Sequence, residues 1–300
     1  MSAIDARLRA RGSTPWIRYR LRLVALALFA LPVAGCIADD VQVIAHRGAS
    51  WDAPEHTFAA WDLALAQGAD WIEQDLQMTR DGQLVVLHDD SLDRTARGPA
   101  EYCAGLVREK TRAQLAACEV GGWFNAEHPA RARPEYVGAR IATLDEVLTR
   151  YAGRARFYIE TKNPADAPGM EDSLLDVLRR HRLVGRGGDE GRVIVQSFSP
   201  ASLERLHALE PRLALVQLWD DEIPIADLEP WLDRIRGYAV GIGPARRLVS
   251  QRMVDAAHAR GLVVHPYTVN AEPAMTYLLE LGVDGMFTDR PAALRQVLGR

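Results

Sequence analysis

The sequence predicts a single α/β domain closed as a (β/α)8 TIM barrel, on three observations. Short apolar runs rich in Val and Ile alternate with stretches whose apolar residues recur at helical spacing, the pattern of parallel strands joined by crossover helices. The alternation runs on with no internal repeat and no linker that would separate two domains, and one barrel of this kind takes up a chain of such length. Several apolar runs end in charged or titratable residues, and the C-terminal strand ends are where such barrels build their sites.

The elements follow in order. Residues 41–45 form a strand that runs into His46-Arg47-Gly48. Residues 56–67 carry Phe58, Trp61 and Leu65 at helical spacing and stop at Gly68. Residues 71–78 and 84–87 read as strands, joined by Thr79-Arg80-Asp81-Gly82, a turn signal too short for a crossover helix. Residues from about 90 to 140 are rich in Arg, Gly, Pro and Ala, lack clear periodicity and hold two cysteines. They are expected as a loop insertion after the third strand, lying over the top of the scaffold. Thr143-Leu144-Asp145-Glu146 matches a capping box and opens a helix to about residue 151. Strands are then predicted at 156–161, 192–198, 213–218, 238–242, 262–269 and 283–288. Helices are predicted at 170–183, from Ser199-Pro200, at 226–235, 251–260 and 273–281, and from Pro291. Nine strand candidates compete for eight places, so one is short, pairs outside the barrel or is not a strand. The tight link between Met78 and Leu84 is where the topology stays open.

The net charge of −4 over 300 residues gives no sign of a nucleic-acid partner. Residues 1–35 carry six Arg against one Asp, +5, which leaves −9 for the rest,. Arg18, Arg20 and Arg22 precede an uncharged run, 23–34, too short to span a bilayer and suited to a secretion signal. The run ends Val33-Ala34-Gly35-Cys36, which resembles a bacterial lipoprotein cleavage box. That likeness implies a signal peptide over 1–35, a mature domain over 36–300 and a lipid anchor on Cys36. An ordinary signal peptide or an uncleaved anchor are the alternatives. Ile37, where an Asp would signal inner-membrane retention, favours the outer membrane, with the protein facing the periplasm. Cys103 and Cys118 enclose a loop whose bridging stabilises by about 3 kcal/mol. In an oxidising compartment they are expected as a disulfide, two free buried thiols being the alternative.

On a strand, Glu73 and Asp75 face one side while Ile72 and Gln74 face the other. Two carboxylates aimed at one spot repel unless a cation lies between them, and oxygen donors suit a hard divalent ion, Mg²⁺ or Ca²⁺. Glu160, ending the run Phe157-Tyr158-Ile159, completes a ligand set. Arg47 and Lys162 supply positive charge, which beside a metal makes a pocket for an anion such as phosphate. His46 and His88 are the candidates for proton transfer near neutral pH. Asp89 is expected to orient a neighbour or cap, Gln196 and Asn270 are candidate polar walls, and His265 is a candidate for pointing into the barrel. Trp51, Trp71, Trp123 and Trp219 are read mostly as core, with Trp123 a candidate cover over substrate.

The ordered set His46-Arg47-Gly48, Pro54-Glu55-His56-Thr57, Glu73-x-Asp75, Thr79-x-Asp81-Gly82, His88-Asp89, Glu160-x-Lys162, Thr268-Val269-Asn270, Asp284-Gly285 and Thr288-Asp289-Arg290-Pro291 resembles the glycerophosphodiester phosphodiesterase family, from about Val43 to Pro291. The resemblance implies a TIM barrel that hydrolyses glycerophosphodiesters to glycerol 3-phosphate and an alcohol such as choline or ethanolamine. It implies His46 and His88 as the acid–base pair, Glu73, Asp75 and Glu160 as ligands of Ca²⁺ or Mg²⁺, and Arg47 and Lys162 at the phosphate. Two positions depart from the pattern. His56 stands where the family usually has Asn and is a candidate third titrating group. Tyr267 stands where Trp is common, keeping an aromatic wall with a polar tip. A related barrel phospholipase acting on intact lipid would need an apolar rim, and residues 90–140 are polar and Arg-rich. A lipoprotein that only binds would tolerate loss of a histidine or a ligand, and none is lost.

Overall fold

The computed structural model describes residues 41–221 and 226–300; the signal segment and Cys36 lie outside the described residues. The strands are β1 (Gln42–Ala45), β2 (Trp71–Met78), β3 (Leu84–Val86), β4 (Phe157–Thr161), β5 (Val193–Ser197), β6 (Ala214–Trp219), β7 (Gly241–Pro244), β8 (Val263–Val264) and β9 (Gly285–Thr288). Eight of them run parallel in the order β8-β7-β6-β5-β4-β2-β1-β9. The seam between β8 and β9 is spanned by hydrogen bonds from Asp284 N–H to Val264 C=O and from Phe287 N–H to Pro266 C=O, each 3.0 Å, so the barrel is nearly closed. β8 is shorter than its apolar run because Pro266, which has no N–H to give a ladder, interrupts it,.

The ninth strand candidate is β3. It pairs antiparallel with β2, Met78 opposite Leu84 and Leu76 opposite Val86, after a turn in which Thr79 N–H bonds Gln83 C=O. It therefore lies outside the eight-stranded barrel, which is why no crossover helix was needed. The run 84–87 alternates between two cores. Leu84 and Val86 join the main core between sheet and helices. Val85 and Leu87 join a second core with Leu92, Val107, Leu115, Cys118 and Ile141.

That second core belongs to the insertion, which is packed rather than looped. It holds helices Ala100–Cys103, Arg112–Leu115 and Gly122–Glu127, each under two turns and too short to show a helical period in sequence. Cys103 and Cys118 are joined as a disulfide. Trp123 is buried against Phe124 and Tyr136 and does not cover the site, whereas Trp51 is 44% exposed and is not core.

The longer helices begin where capping residues place them. Thr57 accepts from Ala60 N–H before Phe58–Ala66, Thr143 and Glu146 form both halves of the capping box before Leu144–Tyr151, and Ser199 accepts from Ser202 N–H before Pro200–Leu209,. Inside the barrel Ile44, Trp71, Tyr158, Val216 and Phe287 fill the cross-section. His265 joins them, its Nδ1 3.1 Å from the Tyr158 hydroxyl. Among the described residues no helix is long and apolar enough to cross a membrane.

Candidate active site

At the C-terminal end of the strands, His46, Arg47, Glu73, Asp75, His88, Glu160 and Lys162, all named from the sequence, line one cavity of about 220 Å³. β1 delivers His46 and then turns sharply, Arg47 at φ +58° and Gly48 at φ +85°. The turn points the Arg47 N–H at Glu73 Oε2, 2.6 Å away. β2 presents Glu73 and Asp75 on one face, and β4 sets Glu160 opposite Asp75 in register. Lys162 Nζ lies 3.0 Å from Glu160 Oε1 and 3.8 Å from Asp75 Oδ1. His88 arrives by another route. Because β3 runs back along β2, Leu87 N–H bonds Asp75 C=O at 3.0 Å, and Gln77 Nε2 donates to His88 C=O. Phe198, Leu218, Tyr267 and Phe287 form the apolar wall, and Gln196 adds a polar one.

Both histidines are held the same way. His46 Nδ1 lies 2.7 Å from Asp289 Oδ1, and His88 Nδ1 lies 2.6 Å from Asp89 Oδ1. An imidazole held at Nδ1 by a carboxylate keeps Nε2 for proton exchange. Asp289 also accepts from Ser50 Oγ and Asn270 Nδ2, so Asn270 acts behind the wall and not in it. Burial would raise Asp289, but the His46 hydrogen bond and charge, with Asn270 and Ser50, hold it at about 2. Burial would likewise raise Asp89, but Arg94 and His88 bring it to about 2. Burial lowers His88 to about 4 against the pull of Asp75, so its imidazole is neutral at pH 7.

The three carboxylates crowd each other. Burial, with Asp75 and Glu160 nearby, pushes Glu73 well above its ordinary value. Burial and Asp75 push Glu160 to about 8 although Lys162 opposes them. Asp75 overcomes its burial through the His56 hydrogen bond and the Lys162 and Arg47 charges, and is held well below. A buried oxygen-rich cluster that resists full ionisation by itself fits a hard divalent cation. The sequence reading did not place His56 among the ligands. Its Nε2 is 2.8 Å from Asp75 Oδ2, and donor atoms of His56, Glu73 and Asp75 lie within 4.8 Å of one another. Burial lowers His56 despite Asp75.

Two further charged residues were missed. Glu55 accepts from Arg47 at 3.1 Å and from Arg94 at 2.7 Å, and Arg94 also reaches Asp89 at 2.7 Å. Glu55 lies in Pro54-Glu55-His56-Thr57, where nothing local in the sequence indicates its two arginine partners. Arg94 lies in the stretch without periodicity and left no signal.

Comparison with known proteins shows the family. The chain is 44% identical to the glycerophosphodiester phosphodiesterase of Bacillus subtilis (strain 168), over 86% of this chain and 87% of that protein. It is 36% identical to the glycerophosphodiester phosphodiesterase of Bacillus altitudinis, over 83% and 95%. Its fold is similar to that of an Oleispira antarctica phosphodiesterase solved in complex with the product sn-glycerol-3-phosphate, with TM-score 0.72 and 28% identity over 86% of this chain and 97% of that one. Residues 46–293 match the glycerophosphoryl diester phosphodiesterase family, and with the two relatives above they show that the chain belongs to it.

Proposed function

We propose that this protein hydrolyses glycerophosphodiesters to glycerol 3-phosphate and an alcohol, by acid–base chemistry from His46 and His88. The observation that carries the reading is the pair of aspartate-held histidines lining one cavity with three carboxylates and two cations. Arg47 and Lys162 bind the phosphate oxygens and oppose the charge that grows on them. Glu73, Asp75 and Glu160, with His56 against Asp75, would hold a divalent cation, Ca²⁺ or Mg²⁺, which when bound supplies Lewis-acid stabilisation of the phosphoryl oxygens.

The two histidines divide the proton work by their surroundings. The Asp89 charge is shared with Arg94, and His88 stays neutral at pH 7. His88 Nε2 therefore accepts the proton of the nucleophile, the neighbouring glycerol hydroxyl or water. Among the described residues, Asp289 accepts from neutral donors besides His46, so its carboxylate is left to hold the His46 ring at Nδ1,. His46 Nε2–H then protonates the leaving alkoxide. Each such transfer typically contributes 10²–10⁴-fold.

We also propose that the chain is exported to the periplasm and anchored through Cys36. The Cys103–Cys118 disulfide supports an oxidising destination,. Incorporation of labelled fatty acid, lost in Cys36→Ser, is the test of the anchor.

The reaction is tested by following glycerol 3-phosphate release from glycerophosphocholine with Ca²⁺, with Mg²⁺ and with EDTA, alongside His88→Ala. Metal-dependent turnover abolished by EDTA and lowered at least about 100-fold in the variant is the expected result. No turnover with either metal by folded protein overturns the reaction. Turnover that survives EDTA overturns the role given to the carboxylates.

A further inference from the structure

We propose that Arg94, on the insertion, is a positioning residue that locks the His88 arm of the site to the Arg47 arm. The proposal rests on the acid–base reading above.

Its guanidinium holds two carboxylates at once. Nε and Nη2 lie 2.7 and 3.2 Å from the two Asp89 oxygens. Nη1 and Nη2 lie 2.9 and 2.7 Å from the two Glu55 oxygens. Asp89 grips His88 Nδ1 at 2.6 Å, and Glu55 accepts from Arg47 Nη1 at 3.1 Å. The result is an unbroken run of hydrogen-bonded contacts, His88–Asp89–Arg94–Glu55–Arg47, from the proton acceptor to the phosphate-binding cation.

The two histidines differ in what they need. His46 leaves a barrel strand, and its partner Asp289 follows another; Asn270 fixes Asp289 through both its backbone N–H and its carboxylate. His88 follows a three-residue strand outside the barrel, and Asp89 is a half-buried loop residue. Among the described residues, Arg94 is the side chain that ties Asp89 to the rest of the site, through Glu55. Arg94 is itself placed by the insertion. Leu92 N–H bonds Gly105 C=O, Arg97 and Glu119 exchange backbone hydrogen bonds at 2.8 and 2.9 Å, and the guanidinium sits 5.5 Å from the Trp123 ring centroid.

Two bidentate pairs need a planar fork of five N–H donors. A lysine offers one point charge on a flexible stem and cannot make them. A shift of about 1 Å in a positioned catalytic group costs on the order of 10²-fold in rate.

The test compares Arg94→Gln and Arg94→Lys, each alone and combined with His88→Ala, with steady-state kinetics on glycerophosphocholine and thermal melting. Both single variants are expected to melt as folded proteins, with kcat reduced about 100-fold and KM changed far less. In the His88→Ala background either substitution is expected to change kcat by less than about twofold, because residues acting through one group are not additive. A second readout does not depend on turnover. In histidine-¹⁵N-labelled protein, the hydrogen-bonded Nδ1 proton of His88, assigned by its loss in His88→Ala, should broaden in Arg94→Gln while that of His46 persists. Wild-type kcat in Arg94→Lys, a full additional loss in the His88→Ala background, or an unchanged His88 proton signal would each overturn the proposal. Absence of wild-type turnover would instead refute the proposed reaction, and the proton signal would still decide what Arg94 holds.

Discussion

Replacement of Gly48 by alanine puts a methyl group into the joint between β1 and helix Phe58–Ala66. At φ +85°, the added Cβ would lie 2.7 Å from the carbonyl carbon and the Cβ of Ala60 and 2.9 Å from its oxygen. These are atoms of a helix anchored by buried Trp61 and Ala64, so they cannot swing aside as a flexible side chain would. The left-handed backbone costs an L-residue about 1–2 kcal/mol, and overpacking a fixed neighbour costs about 1–3 kcal/mol more. Together they give about 2–5 kcal/mol, with 3 as a working value. At about 2–4 °C per kcal/mol for a domain of this size, the melting temperature should fall by about 6–12 °C. Relief comes from moving the turn, which carries the Arg47 N–H off Glu73 Oε2, now 2.6 Å away, and tilts His46. Activity per folded molecule should therefore fall as well, by about 10- to 100-fold in kcat/KM. Thermal unfolding gives the first quantity, and glycerol 3-phosphate release below the variant's transition gives the second. A variant that melts with the wild type and turns over normally would show that the turn is not sterically fixed and refute the reasoning.

Other expectations follow from the same structure. Burial lowers His265 from 6.5 to about 4, so the unfolded chain binds a proton there before the folded one does; stability is intact above 6.5 and is lost as pH falls toward 4. His265→Gln should flatten the dependence of unfolding free energy on pH in that window by up to about 1.4 kcal/mol per unit, and equal slopes in denaturant titrations would count against it. Asp289→Asn keeps the shape of the His46 support but removes its charge and should lower kcat by on the order of 10²-fold or more; a change within twofold would mean that Asp289 does not serve His46. Converting both Cys103 and Cys118 to Ser opens a loop of separation 15 and should cost about 3 kcal/mol by the chain-entropy account, seen in urea unfolding. Unchanged stability would show that the insertion core holds without its staple.

The barrel was legible because its strands and helices obey local rules. Thr143 and Ser199 cap where their sequence says, and Glu73 and Asp75 share a face because side chains alternate on a strand. All seven named site residues meet in one cavity for the same reason: polar ends of buried strands point to one end of the barrel,. What local rules could not show was pairing between distant segments. β3 looks like any other apolar run, and only its partner, β2, makes it antiparallel. His46 and Asp289 are 243 positions apart, and neither residue's surroundings announce the other. The insertion was obscured by helices of four to six residues, and Arg94 was hidden with it. His56 was noticed only as a departure from a pattern, since its contact with Asp75 arises where a left-handed backbone turns the ring inward.

The two faces of β3 give the molecule two tiers of stability. Leu84 and Val86 are sealed into the barrel core, while Val85 and Leu87 are sealed into the insertion core. Small cooperative units open independently of the whole, and the insertion core, apart from those two side chains and Ile141, is built within residues 92–120. When that unit opens, it takes with it the support of His88, while His46, Glu73, Asp75, Glu160 and Lys162 remain on the barrel. On the proposed roles, such a molecule would keep a phosphate-binding cation, Lys162, and lose its fixed proton acceptor. Heating should accordingly make the enzyme a binder before it makes it a coil, so catalysis is lost ahead of the fold.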